Sequence, residues 1–130
     1  DVINLSIGGP GNSTEVHRII QEAVSKGIVV VAAAGNCGRS SGTTQCPYGG
    51  DVTKYYPASY SEGITVAACG PNNERAAYSN TGSAVDICAP GGAPVTDSNS
   101  CKSDATDCIR STWVSNGYRN IAGTGWCPVH

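Results

Sequence analysis

Ile28-Val29-Val30-Val31-Ala32-Ala33-Ala34-Gly35-Asn36 is the stretch on which the fold turns. A continuous apolar run of β-branched residues reads as a strand covered on both faces, as in a parallel sheet. It closes on alanines, which let another chain approach the backbone. Gly35 then permits a tight turn. Asn36 is left at the mouth with an amide able to donate hydrogen bonds to a developing negative charge.

Outward toward the N-terminus, Val2 to Ser6 is a second short strand, bounded by Gly8-Gly9-Pro10-Gly11. Asn12 stands three residues before Glu15, a capping-box spacing with Asn12 as the cap. Val16, Ile19, Ile20, Ala23 and Val24 follow at helical spacing. His17, Arg18, Gln21, Glu22 and Ser25 fall on the opposite, solvated face, and Gly27 stops the helix. Strand, helix and strand in this order make a βαβ unit with a right-handed crossover. The fold class is therefore α/β with a mainly parallel sheet.

Outward toward the C-terminus, Gly35 to Pro57 reads as a long loop and Gly63 to Ala68 as a third strand. Asn72-Asn73-Glu74-Arg75 marks a turn. Ala84 to Cys88 is expected as a fourth strand, stopped by Pro90-Gly91-Gly92. Ile109 to Val114 and Tyr118 to Ala122 suit two further short strands. The 130 residues fit one domain, 1–130, with a modest core. Asp1 opens inside a strand, as expected of a processed or excised piece.

Only 14% of residues are charged and the formal net charge is -2. That leaves no electrostatic footprint for nucleic acid or for an anionic membrane. The longest apolar run, Ile28 to Ala34, is too short to span a bilayer. Gly8-Gly9-Pro10-Gly11 lacks the spacing of a dinucleotide-binding loop. Seven cysteines point to an oxidising, extracellular setting. Cys37 with Cys46 and Cys101 with Cys108 each bracket a polar loop where a disulfide would replace missing core. Without a C-x-x-C and with few histidines, zinc is disfavoured. Cys69, Cys88 and Cys127 remain, so at least one thiol is free or pairs with another chain.

Several blocks in fixed order resemble the subtilisin-like serine proteases. They are Val2-Ile3-Asn4-Leu5-Ser6-Ile7-Gly8-Gly9, Ala32-Ala33-Ala34-Gly35-Asn36, and Tyr56-Pro57-Ala58-Ser59 before Ile64-Thr65-Val66-Ala67-Ala68. Ala77-Tyr78-Ser79-Asn80-Thr81-Gly82, Val85-Asp86-Ile87-Cys88-Ala89-Pro90-Gly91 and Gly123-Thr124 continue the order. The resemblance covers nearly the whole chain. It implies part of a three-layer fold, and a secreted serine endopeptidase acting on extended peptides or proteins. Ser6, Ile7 and Gly8 on one side and Ala33, Ala34 and Gly35 on the other would flank the substrate by β-strand addition. Tyr55 would lie at the pocket base. Asn36 would be the oxyanion-hole asparagine. Asp86, with the carbonyls of Ala58, Tyr60 and Gly63, would form a weak Ca²⁺ or Na⁺ site of oxygen ligands; the plainer reading is that Asp86 caps backbone N–H groups.

The resemblance also shows what this sequence lacks. The family's Asp-Ser/Thr-Gly and His-Gly-Thr-His patterns do not occur. Gly125 stands where the nucleophilic serine should follow Gly123-Thr124, and it has no side chain to attack with. Cys127 and His130 are too badly spaced on a helix start to replace it. Two readings follow: an endopeptidase portion with the groove and Asn36 but no activity alone, or a non-catalytic pseudoprotease that binds peptides or a partner. One convincing helix leaves a sheet face open to a companion chain or to self-association.

Overall fold

The computed structural model describes residues 1–39, 41–92, 109–113 and 117–121. In chain order these form β1 (Val2–Leu5), α1 (Thr14–Ser25), β2 (Val29–Ala33), a single 3₁₀ turn at Val52–Lys54, β3 (Ile64–Cys69) and β4 (Ile87–Pro90). A separate hairpin follows, β5 (Ile109–Trp113) paired antiparallel with β6 (Gly117–Ile121). Strands β1 to β4 form one four-stranded sheet in sequential order, and every pair in it is parallel. The chain is thus an α/β fold built on a parallel sheet with few helices. No helix among the described residues is long and apolar enough to cross a membrane.

Strand register decides which side chains meet. Val2 opposes Val29, Val31 opposes Ile64, and Val66 opposes Ile87. Because side chains alternate along a strand, Val2, Val29, Ile64 and Ile87 share one face. All four are exposed, Val2 by 67% and Ile87 by 54%. The other face carries Val30 and Ala32, both 3% exposed. There Val30 meets Ile20 and Ala23 of α1 together with Tyr60, flanked by Leu5, Val24 and Ile28. Among the described residues helix cover is therefore one-sided, from the single amphipathic helix α1.

Four local expectations are corrected. Ser13, not Asn12, caps α1, accepting from the Val16 N–H at 3.3 Å. Asn12 is drawn away because its Oδ1 accepts the Tyr60 hydroxyl at 2.9 Å, and Glu15 pairs with Arg18 rather than reaching back to the cap. Val16 and Ile19 stay exposed, so α1 buries a narrower stripe than its pattern suggests. His17 is not a solvated surface residue; it is half-buried and stacked on Tyr60.

The fourth correction concerns β4, which begins at Ile87, later than expected. Val85 closes a turn onto Gly82, and Ala84 and Val85 pack against Val52, Ala58 and Ala67. The strand also runs through Pro90, which an edge strand tolerates because its outer N–H needs no partner in the ladder. The expected Cys101–Cys108 pair, Gly125 and Cys127 lie outside the described residues.

Candidate functional site

The two segments expected to flank a peptide converge on one groove. Ser6, Ile7, Gly8, Ala33, Ala34, Gly35, Asn36 and Tyr55 all line a cavity of about 180 Å³, with Cys37, Gln45, Tyr56, Ala58 and Asn80 completing it. None of these side chains is charged. Each wall has its own anchor. Gly9 and Tyr56 exchange both backbone hydrogen bonds, at 3.0 and 2.8 Å, which pins the chain just after β1. A Cβ on Gly8 would stand 3.2 Å from the Tyr56 carbonyl oxygen, so the small residue is what permits this approach.

The opposite wall leaves the sheet directly after β2. Ala34 N–H still donates to Val66 at 2.9 Å, and the chain then turns at Gly35 with φ +103°. That is a left-handed conformation suited to glycine. Asn36 follows, half-buried at the groove, and its Oδ1 is buried with no hydrogen-bond donor among the described residues. An unsatisfied buried amide oxygen is costly in a closed interior and common where a ligand or a further chain segment completes the site. Beyond it, Cys37 and Cys46 form the expected disulfide. The bond packs against Tyr55, which is 5% exposed and donates its hydroxyl to the Gly49 carbonyl at 2.9 Å.

The residues expected to hold a cation divide between two places. Tyr60, Gly63 and Asp86 line a second cleft of about 550 Å³, shared with Asn12 and His17. Ala58 lines the first groove instead, and its carbonyl accepts the Thr65 hydroxyl at 2.6 Å. Asp86 does cap backbone: its Oδ2 accepts the Thr65 N–H at 2.7 Å while its own N–H donates to Thr65 O at 3.0 Å. The two roles are compatible, since a carboxylate has lone pairs for both. No cluster of three or more His, Cys, Asp or Glu suited to a metal occurs among the described residues.

Sequence reasoning missed Asn80. It is wholly buried and bonds to the backbone on both sides of Asn36, with Cys37 N donating to its Oδ1 at 2.7 Å and its Nδ2 donating to Ala34 O at 2.8 Å. Within one sequence its only signal was membership of the block Tyr78-Ser79-Asn80-Thr81-Gly82. Nothing local indicates a partner 43 residues away.

Comparison with known proteins agrees with this fold. The chain is 37% identical to subtilisin DY of Bacillus licheniformis over 130 residues, all of this chain and 39% of that protein. It is 50% identical to subtilisin E of Bacillus subtilis (strain 168) over 91 residues, 70% of this chain and 22% of that one. A solved protease from Pseudoalteromonas arctica superposes with a TM-score of 0.76 at 33% identity, covering 100% of this chain and 36% of the other. A cold-adapted subtilisin-like serine proteinase gives 0.70 at 31% identity, covering 99% and 37%. The chain thus spans well under half the length of these relatives. The Peptidase_S8 subtilase family model matches residues 1–125, and the chain belongs to that family.

Proposed function

We propose that this chain supplies the substrate groove and oxyanion asparagine of a secreted subtilisin-like serine endopeptidase. The observation that carries the reading is the convergence of Ser6–Gly8, Ala33–Gly35 and Asn36 on one uncharged groove. An extended peptide lies between the two walls as an added strand, with main-chain hydrogen bonds giving affinity. Tyr55 and the Cys37–Cys46 disulfide form the floor that limits the side chain accepted. Asn36 donates its amide N–H to the oxygen of the scissile carbonyl as negative charge develops there. A donor of this kind is worth about 3–4 kcal/mol of transition-state stabilisation.

Polarising a carbonyl is half of the chemistry. The attacking hydroxyl and its base come in this family from Ser, His and Asp. Gly125 stands at the serine position and the Asp and His patterns are absent from the sequence. On this reading the chain binds peptide and hydrolyses nothing alone. The second reading, a pseudoprotease that holds a peptide or partner without cutting it, is favoured by Gly125. A weak Ca²⁺ or Na⁺ at Asp86 with the Tyr60 and Gly63 carbonyls, which share its cleft, has a structural role in either case. The exposed face of Val2, Val29, Ile64 and Ile87 suits a companion chain or a second copy.

A labelled extended peptide and a fluorophosphonate probe test this together. Saturable peptide binding, weakened at least tenfold by Gly8→Leu, with no fluorophosphonate adduct, is the expected result. Absence of binding sinks the groove assignment. A stoichiometric adduct shows a competent nucleophile and overturns the claim of inactivity.

A further inference from the structure

Asn80 holds three anchor points around Asn36. Its backbone N–H donates to Gly35 O at 2.9 Å. Its side-chain Nδ2 donates to Ala34 O at 2.8 Å, and its Oδ1 accepts from the Cys37 N–H at 2.7 Å. Residues 34, 35 and 37 are thereby fixed by a single residue, and Asn36 is the one position in the segment that Asn80 leaves untouched. The amide orientation follows from chemistry alone: the N–H of Cys37 needs an oxygen and the carbonyl of Ala34 needs a donor.

The fit is mutual. A Cβ on Gly35 would lie 2.7 Å from the Asn80 nitrogen, so glycine there serves the close approach as well as the positive φ. Asn80 is 0% exposed, and a buried amide with both ends satisfied is rigid where a partly satisfied one is costly. Its own segment is held from behind. Ser79 Oγ accepts the Ala68 N–H at 2.9 Å, Arg75 donates to Ser79 O at 2.8 Å, and Thr81 N–H donates to Gly50 O at 2.8 Å. The disulfide fixes the far side of Cys37.

We propose that Asn80 is the positioning residue of the oxyanion site, setting where the Asn36 amide points by clamping the backbone before and after it. The proposal rests on the reading of Asn36 given above. No other side chain fits the role. Aspartate loses the donor and sets a charge against the Ala34 carbonyl. Glutamine is one carbon too long to keep both side-chain bonds at these distances.

The test uses two peptides of one sequence, ending in a carboxylate or in a carboxamide. The carboxylate presents an anionic oxygen to Asn36, and one charge-assisted hydrogen bond makes it bind about tenfold tighter. Asn36→Ala should abolish that preference. Asn80→Ala should reduce it to less than about threefold while carboxamide affinity changes by no more than about twofold, a split that simple loss of stability does not produce. Asn80→Ala with the full preference intact overturns the clamp. Wild type binding neither peptide, or Asn36→Ala keeping the preference, overturns the functional reading instead.

A second readout needs no ligand. The Asn36 side-chain NH₂ of ¹⁵N-labelled wild type should give one sharp pair of signals, identified by its loss in Asn36→Ala, and Asn80→Ala should broaden or split it. An unchanged pair overturns the clamp whatever the peptides do. Where Asn80→Ala does not fold, hydrogen exchange on the wild-type chain decides. A Cys37 amide protected as strongly as those of β2 supports the clamp, and a rapidly exchanging one refutes it.

Discussion

The imidazole of His17 lies flat on the phenol ring of Tyr60, with 4.0 Å between ring centroids and 4° between planes. Its Nε2 also meets the Glu62 carboxylate at 2.9 Å, and Gln21 donates to the same carboxylate at 2.7 Å. The Tyr60 hydroxyl bonds to Asn12 and to the Ser13 carbonyl. One short loop thus receives both the start and the middle of α1. This ties α1 to the wall of the second cleft.

His17→Ala should destabilise the fold by about 1 kcal/mol through the lost ring stack. Tyr60→Phe should cost about 1–2 kcal/mol, because it leaves Asn12 and the start of α1 without their shared partner. Urea midpoints of the two variants against wild type check both values. A Tyr60→Phe variant as stable as wild type contradicts the account of the helix start.

The same site makes a pH prediction. The Gln21 amide, and after it His17, hold the Glu62 carboxyl below its ordinary value of 4.5. A depressed carboxyl contributes stability that is complete above the unfolded value and lost as pH falls through the lower folded value. Stability should therefore decline on acidification below 4.5, and Glu62→Gln should flatten that decline. Denaturation midpoints over about pH 3 to 6 provide the measurement.

Glycine substitutions should separate sharply by surroundings. A Cβ on Gly38 would run into the Ser79 carbonyl oxygen and lie 2.7 Å from that of Ala77, both backbone atoms that cannot swing away. Gly38→Ala should cost about 2–3 kcal/mol, near the upper end for overpacking. Gly11 has open space around its Cβ position, and Gly11→Ala should stay within about 0.5 kcal/mol of wild type. Comparable thermal shifts for the two would contradict the packing described.

The cysteines should react in a fixed order. Cys88 is exposed, whereas Cys69 is buried, and burial followed by the neighbouring Cys88 thiol pushes the Cys69 thiol up to about 11. Near neutral pH, iodoacetamide should modify Cys88 quickly and Cys69 only on unfolding, as read by peptide mass mapping. Reducing Cys37–Cys46, whose sequence separation is 9, should cost about 2–3 kcal/mol through the freed loop. Native alkylation of Cys69 at the rate of Cys88 is the result that fails.

Asp86→Asn offers a clean test of the cation site. Asparagine keeps an oxygen for the Thr65 N–H and removes only the charge. Stability without added cation should change by less than about 1 kcal/mol. Millimolar Ca²⁺ should raise the melting temperature of wild type by a few degrees and leave the variant unmoved. Equal responses in both proteins remove Asp86 from the site.

What the sequence determined by itself was whatever neighbouring residues settle among themselves. The run Ile28 to Ala34 was enough for a strand of a parallel sheet, though β2 is covered on the Val30 and Ala32 face while Val29 stays exposed. The spacing of Ile20 and Ala23 was enough for a helix stripe, and two cysteines around a polar loop for Cys37–Cys46. The groove residues were legible through the family resemblance, a role that the small side chains at Gly8, Ala33 and Gly35 suit. Tertiary structure decided what depends on partners far along the chain. Tyr60, 48 residues on, takes Asn12 and leaves the cap to Ser13. Glu62, 45 residues on, turns His17 inward. Packing against Val52 and Ala67 delays β4 to Ile87. Asn80 reaches Ala34 across 46 residues, and a lone asparagine among small residues carries no mark of that. Hydrogen-bond partners are chosen by proximity in space, and for these groups only the folded sheet brings them together.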